Sequence, residues 1–335
     1  MESSANQFAG DARFIGVPSG FHPDDPHPYH PVNHLNPVIP FSSAFSQLAA
    51  LPRAFRRADA QASAPSSCAA ARRAASIKKV SLSTSFAATA AAMETAEHRM
   101  SGEFEFGGQE HFYLETQAAW AEAGGDGDVF ISSSTQHPSE IQIIVAKVLG
   151  LPRHRVVVEA PRMGGGFGGK ETQGNGWAAL AAIAALKTGK PVRIQLDRDL
   201  DMMLNGKRHP FYARFEVGFD SYARLTAADI SLYSDGGWAL DLSMPIMDRA
   251  MFHLDNAYYI PAVRFTGQVV RTNTVSNTAF RGFGGPQGML VIEEIIARIA
   301  SATGLPAEVV RERNLYHGTG ETNTTHYGQE IEDNR

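Results

Sequence analysis

The sequence predicts a mixed α/β (α+β) fold, and three observations carry that prediction. The β-branched run Val156-Val157-Val158 is followed by five glycines within residues 164–169, and then by an Ala- and Leu-rich helical pattern closed by Gly189 and Pro191. Phe211, Ala213, Phe215 and Val217 alternate with more polar neighbours, which is the period of a strand. A second glycine cluster, Gly282-Phe283-Gly284-Gly285, again opens a helical pattern. Strand, glycine loop and helix recurring beside an antiparallel hairpin fit neither an all-α nor an all-β chain.

Taken in order, residues 1–80 differ from the rest. Seven prolines fall within residues 17–40, a composition that builds neither helix nor sheet interior. His22, His27, His30 and His34 lie among them and read as solvated chain rather than a metal site. Residues 49–76 are rich in Ala, Arg and Ser and bury little. Residues 1–80 are therefore expected to be largely disordered.

From Phe86 onward the pattern is regular. Residues 87–96 read as a short helix and residues 101–106 as a strand. The polar–aromatic segment Gly107–Glu115 follows, and residues 128–132 form a second strand. Pro138 opens a helix as its first residue. Ile141, Ile144, Val145, Val148 and Leu149 give that helix one apolar face, and Gly150 and Pro152 end it. Strand 156–159, helix 177–187 and strand 192–196 compose a βαβ unit. After the hairpin at residues 211–232, Asp235-Gly236-Gly237-Trp238 reads as a loop and residues 264–270 as a strand. A helix at 288–302 ends at Gly304, and Pro306 starts another.

Composition narrows the function classes. The net charge is −5, and residues 81–335 carry all the negative excess, which argues against nucleic-acid binding. No apolar run approaches the roughly 18 residues of a membrane span. With Cys68 as the single cysteine, a cysteine-ligated iron–sulfur cluster cannot form within the chain. Electrons from any redox chemistry must leave through another polypeptide. The start Met1-Glu2-Ser3-Ser4 is not a signal peptide, so the expected location is cytoplasmic.

The first glycine loop, Arg162–Glu171, suggests an anion site, because glycines allow close approach and helix-start N–H groups face negative charge. Gly164, Gly166 and Gly169 also satisfy the dinucleotide fingerprint, with Asp197 as the acidic residue after the next strand. Gly164 and Gly169-Lys170 fit a phosphate-loop pattern, but Glu171 stands where a Ser or Thr is required, and its carboxylate repels phosphate.

Five segments in one order resemble the molybdenum-cofactor-binding subunit of the xanthine dehydrogenase/aldehyde oxidase family. They are Gly107–Glu115 (GGQEHFYLE), Ser134–Glu140 (STQHPSE), Arg162–Glu171 (RMGGGFGGKE), Asp248–Tyr258 and Ser276–Gln287 (SNTAFRGFGGPQ). The resemblance implies a molybdopterin-binding half-domain within residues 81–335. It assigns Gln136, Phe167, Gly168 and Arg281 to a molybdenum–molybdopterin cofactor, with Gln136, Phe167 and Arg281 near the metal. It assigns Glu171, Arg249 and Phe283 to the substrate. A carboxylate and a guanidinium at 171 and 249 mark purine-oxidising members, where they would hold opposite edges of hypoxanthine or xanthine.

The implied reaction is hydroxylation with oxygen from water, assisted by a glutamate general base. No residue of this chain matches that base, so the chain reads as a fragment, inactive alone. The missing half, the iron–sulfur clusters and FAD are expected in partner chains. Two other readings stand beside this one: a nicotinamide-dinucleotide dehydrogenase using Gly164–Gly169, and a non-catalytic remnant.

Overall fold

The computed structural model describes residues 76–83, 86–317 and 322–331. The expectations for residues 1–75 lie outside the described residues. Strand β1 (Ser76–Ser83) runs across the boundary placed at residue 80. Helix α1 (Phe86–Thr95) and strand β2 (His98–Phe106) follow.

Two sheets share the rest. The smaller is built from β3 (Ala118–Ala123), β4 (Val129–Ser133), β5 (Val156–Glu159) and β6 (Val192–Gln195). Its order is β5-β4-β3-β6, and only β4 and β5 run parallel. Helices α2 (Pro138–Leu149) and α3 (Gly174–Thr188) pack on it. Pro138 sits at the start of α2, and Gly150 closes that helix at a φ of 69°, both as its sequence requires. The core between them uses Ile131, Ile141 and Val145 against Ala178, Ala181, Ala182 and Ala185, so small side chains bring α3 close to the strands.

The larger sheet contains β1, β2, β7 (Phe211–Phe219), β8 (Leu225–Gly237) and β9 (Ala262–Arg271), in the order β1-β9-β8-β7-β2. Here β8 and β9 alone are parallel. The alternation from 211 to 219 buries Phe211, Phe215 and Phe219 on one face. Helix α6 (Gly285–Thr303) lays Val291, Ile292, Ile295, Ile296 and Ile299 into the same core, each worth about 2 kcal/mol of burial. Helix α5 (Ser243–Phe252) and helix α7 (Ala307–Asn314) complete it. Helix α4 (Arg198–Leu204) lies between the two sheets in sequence and is capped by Asp197, whose side chain accepts from the Leu200 N–H.

Four differences from the sequence reading have physical causes. The segment AAWAEA of β3 has weak strand propensity, yet pairing on both edges, to β4 and β6, makes it a central strand. The βαβ crossover between neighbouring strands is β4–α2–β5; β5 and β6 are the two edges of the sheet, and α3 crosses over β3 to join them. Asp235, Gly236 and Gly237 continue β8, paired with β9, and the loop begins only at Trp238. Helices α4 and α5 were not expected: α4 is only two turns long, and in α5 the helical spacing of Ile246, Met247, Ala250 and Met251 follows directly on a proline. Pro245 is tolerated in the first turn of α5, where an N–H has no helical partner.

Candidate cofactor and substrate site

The two glycine loops meet. The Arg281 N–H donates to the Phe167 carbonyl at 2.9 Å, so the two loops lie side by side at one rim. A left-handed Phe followed by a left-handed Gly occurs in both loops. In Gly166-Phe167-Gly168-Gly169 the Phe has a φ of 53° and the next Gly 99°; in Gly282-Phe283-Gly284-Gly285 the values are 50° and 103°. A left-handed Phe costs about 1–2 kcal/mol, and this strain recurs in the two loops that meet. Gly168 must be glycine twice over: besides its φ, a Cβ there would come within 2.8 Å of the Ala279 carbonyl.

Beneath the first loop is a buried polar clasp. Lys170 is fully buried, and its ammonium donates to the Glu115 carbonyl at 2.8 Å, to Ser134 Oγ at 2.7 Å and to Glu115 Oε2 at 3.3 Å. It also lies 4.7 Å from the centre of the Tyr113 ring. Glu115 Oε2 accepts from Ser134 Oγ at 2.6 Å and from the Gly164 N–H at 2.7 Å. Burial lowers the Lys170 pKa against the opposing pull of Glu115. Glu115 is held below the usual carboxylate range; burial pushes it up, but Ser134, Gly164 and Lys170 together outweigh that. Next to the clasp, Asp201 accepts from Tyr113 Oη at 2.7 Å and from the Gln117 N–H at 2.6 Å, anchoring the segment to α4.

The second loop is held by His111 and Arg208. Burial keeps His111 neutral, and its Nε2 donates to the Ala279 carbonyl at 2.6 Å. Arg208 donates to the Arg281 carbonyl at 2.8 Å and lies over the Phe280 ring at 4.1 Å.

The rim exposes donors. Gln136 Oε1 accepts from the Gly168 N–H at 2.8 Å and from the Lys170 N–H at 3.3 Å, which leaves its amide NH2 free to donate. The N–H groups of Gly165, Gly166 and Phe167 and the guanidinium of Arg281 make no hydrogen bond among the described residues. These donors do not come from a helix start, as the sequence had suggested, because α3 begins only at Gly174. Asp197, the residue a bound dinucleotide would need, is engaged in capping α4.

The expected cofactor residues are thus linked directly: Gln136 to Gly168, and Phe167 to Arg281. The expected substrate residues are more dispersed. Glu171 is half-buried, and burial raises its pKa, with Asp241 and Glu140 acting the same way and His137 opposing. Phe283 is half-buried in the second loop. Arg249 is exposed on α5, which is packed against Gly284 and Gly288, and no hydrogen bond or ion pair joins it to Glu171. Sequence reasoning missed Lys170, Glu115, Ser134, His111 and Arg208 as supports. Four polar groups inside GGQEHFYLE were the available signal, since so dense a polar–aromatic run must find partners when buried.

No group of three His, Cys, Asp or Glu side chains able to hold a metal occurs among the described residues. A metal at this rim would therefore have to arrive ligated by its own cofactor. A donor-rich rim with flanking aromatics fits such a group, because an oxidised metal centre and a phosphorylated pterin present acceptors. No helix of the described residues is long and apolar enough to cross a membrane.

Comparison with known proteins agrees. Residues 74–315 match the family described as "Molybdopterin cofactor-binding domain". The chain is 50% identical over 238 residues to the xanthine dehydrogenase/oxidase of Felis catus, covering 71% of this chain and 18% of that protein. It is 50% identical over 243 residues to the xanthine dehydrogenase of Drosophila subobscura, covering 72% and 18%. Among solved structures it resembles the aldehyde oxidoreductase of Desulfovibrio gigas, with a TM-score of 0.70 at 28% identity, over 76% of this chain and 28% of that one. The chain thus spans about a fifth of the length of these curated relatives. Fold, paired loops and sequence together make this chain a member of the molybdopterin cofactor-binding domain family.

Proposed function

We propose that these residues form the cofactor-holding part of a purine-oxidising molybdenum hydroxylase. The observation that carries the reading is the junction of the two Gly-Phe-Gly-Gly loops, 2.9 Å apart at Phe167 and Arg281, with a rim of unpaired donors. Gln136, the loop amides around Phe167 and Gly168, and Arg281 would hold the molybdenum–molybdopterin cofactor. When bound, that group supplies the oxidising equivalents and the site at which oxygen from water is introduced.

The chain's own residues would then orient the substrate. Phe283 offers a ring face for stacking a heterocycle. Arg249 would stabilise negative charge developing on a purine oxygen. Glu171 has a raised pKa, so a greater share of it is protonated near neutrality than for an ordinary glutamate, and it can then donate as well as accept toward a ring nitrogen. Support for purines over aldehydes comes from this pair of side chains and from the names of the two relatives. The general base, iron–sulfur clusters and FAD are assigned to partner polypeptides, and the location to the cytoplasm.

The test is co-expression with the complementary parts of a xanthine dehydrogenase in a host that makes the cofactor. Molybdenum should co-purify with the chain and be lost in Gln136→Ala. Arg249→Met should raise the barrier for xanthine by about 2–4 kcal/mol. An unchanged rate on xanthine would remove Arg249 from the site. Residues 1–335 alone, supplied with cofactor and a dye acceptor, should show no sustained turnover.

A further inference from the structure

The buried Lys170 has no part in the chemistry just proposed, and its placement calls for another account. A lysine in the interior is unfavourable unless every one of its protons is used. Here all three donor directions are used, and all the acceptors belong to two short segments, Glu115 and Ser134. Those segments bind the loop at its other points as well. Glu115 receives the Gly164 N–H at 2.7 Å and gives its own N–H to the Gly164 carbonyl at 3.0 Å. The Lys170 carbonyl accepts the Gln136 N–H at 2.9 Å and Thr135 Oγ1 at 3.1 Å. Both ends of the loop, residues 164 and 170, are therefore pinned to the same base.

Gln136 hangs from this base. The two groups that face its side-chain carbonyl are backbone N–H donors, of Gly168 and Lys170, so the opposite orientation of the amide would set donor against donor. Gly166 completes the fit, since a Cβ there would touch Gln136 Oε1 and Cδ. We propose that Lys170 is a positioning residue: its buried ammonium, clasped by Glu115 and Ser134, fixes the first glycine loop so that Gln136 turns its carbonyl inward and presents its NH2 to whatever occupies the rim. The consequence for a metal-bound acceptor rests on the function proposed above; the orientation itself does not.

The test is made on the full chain, isotopically labelled for nuclear magnetic resonance. A coupling across the hydrogen bond from the Gly168 amide nitrogen to the Gln136 side-chain carbonyl carbon reports the orientation directly. It should be present in the parent protein and absent in Lys170→Met. Amide exchange at Gly164 and Gly168 should rise at least about tenfold in that variant, while the β7–β8 ladder stays within about twofold. Loss of protection in both regions alike would mean that Lys170 supports the whole fold rather than the loop, and would overturn the proposal. So would a coupling retained in Lys170→Met, or absent from the parent.

If Lys170→Met is insoluble, Ser134→Ala removes one acceptor and keeps the charge pair. It should raise exchange at Gly164 and Gly168 by about threefold, and no change there would equally overturn the proposal. Molybdenum content after co-expression separates the two readings. A parent chain that shows the coupling but takes up no molybdenum counts against the proposed function and leaves the positioning role of Lys170 intact.

Discussion

Around Phe167 the glycine loop is tied down by buried polar groups, whereas around Phe283 the same left-handed Phe-Gly pair is pressed against helix α5. The first loop stands over Lys170, Glu115, Ser134 and Gln136, whose hydrogen bonds reach it at residues 164, 168 and 170. The second runs into α6 over Gly284, Gly285 and Gly288, and Cβ atoms at 284 and 288 would overlap the carbonyl oxygens of Ile246 and Ala250. Both loops combine hydrogen bonds with close steric contacts, but the polar side chains gather under the first and the helix backbone of α5 presses on the second. Removing a polar partner therefore tests the first support, and adding volume at Gly284 tests the second.

The largest expected effect follows from that contrast. Gly284→Ala combines a φ of 103° with overlap of the Ile246 carbonyl, and should cost about 4 kcal/mol in urea unfolding of the full chain. Gly165→Ala in the first loop has a similar φ, 96°, but its nearest contact is Tyr113 Cβ at 3.1 Å. It should cost only about 1–2 kcal/mol. Equal costs would show that the two loops are not held differently.

Acid should act next. His209 is buried beside the start of α5, with Nε2 2.7 Å from Ser243 Oγ, and burial pushes its pKa down to about 3 from the usual 6.5. Between those values the unfolded chain binds a proton that the folded chain does not. The stability from neutral His209 is therefore fully present above pH 6.5 and is lost as pH falls toward 3. Its full extent is at most on the order of 5 kcal/mol, of which about 3 kcal/mol falls above pH 4.5. Glu115 has a lowered pKa and contributes with the same sign, so urea midpoints should be compared between the parent and His209→Gln from pH 7 to pH 4.5. The parent should lose stability more steeply; parallel slopes would show that His209 is not protected from protonation.

Lys170→Met tests the first loop from the other direction, by deleting a partner instead of adding volume. It should cost about 3 kcal/mol, because Glu115 and Ser134 are left without their cation. The side chain of Glu115 is 35% exposed, and water replaces part of what it loses. Combining Lys170→Met with Glu115→Gln should therefore cost less than the sum of the two single changes. A strictly additive pair would deny the clasp.

These supports mark the limit of what the sequence reveals. Helix α2 was legible from Pro138 to Gly150 because its first residue, its cap and the buried Ile141 and Val145 all agree, although Val148, expected on the same face, is exposed. The β7–β8 hairpin was legible from its period, although its second strand runs five residues farther, paired with β9 across a bulge at Asp235–Gly237. Strand β3 was not legible, since Ala-Ala-Trp-Ala-Glu-Ala becomes a strand only between two neighbours. At the site, both loops and Gln136 stood out as motifs. The Lys170 clasp did not, because its partners lie 55 and 36 residues away and no local pattern announces a buried ion pair. Long-range polar satisfaction is a property of the folded chain.

The smallest effect sharpens the comparison by asking which glycines the site requires. Gly176 lies in the first turn of α3, five residues beyond Glu171, and an added Cβ would meet nothing within 4 Å. It touches neither the clasp nor the second loop. Alanine restricts the unfolded chain and favours helix, so Gly176→Ala should stabilise the protein by roughly 0.5 kcal/mol, less than a mid-helix exchange because the first turn is only partly bonded. Thermal unfolding of the full chain would show this as a small rise in Tm, with molybdenum uptake after co-expression unchanged. A loss of uptake in this variant would mean that the ligand reaches past the loops to the start of α3, and the helix N-terminus would then have to be returned to the site.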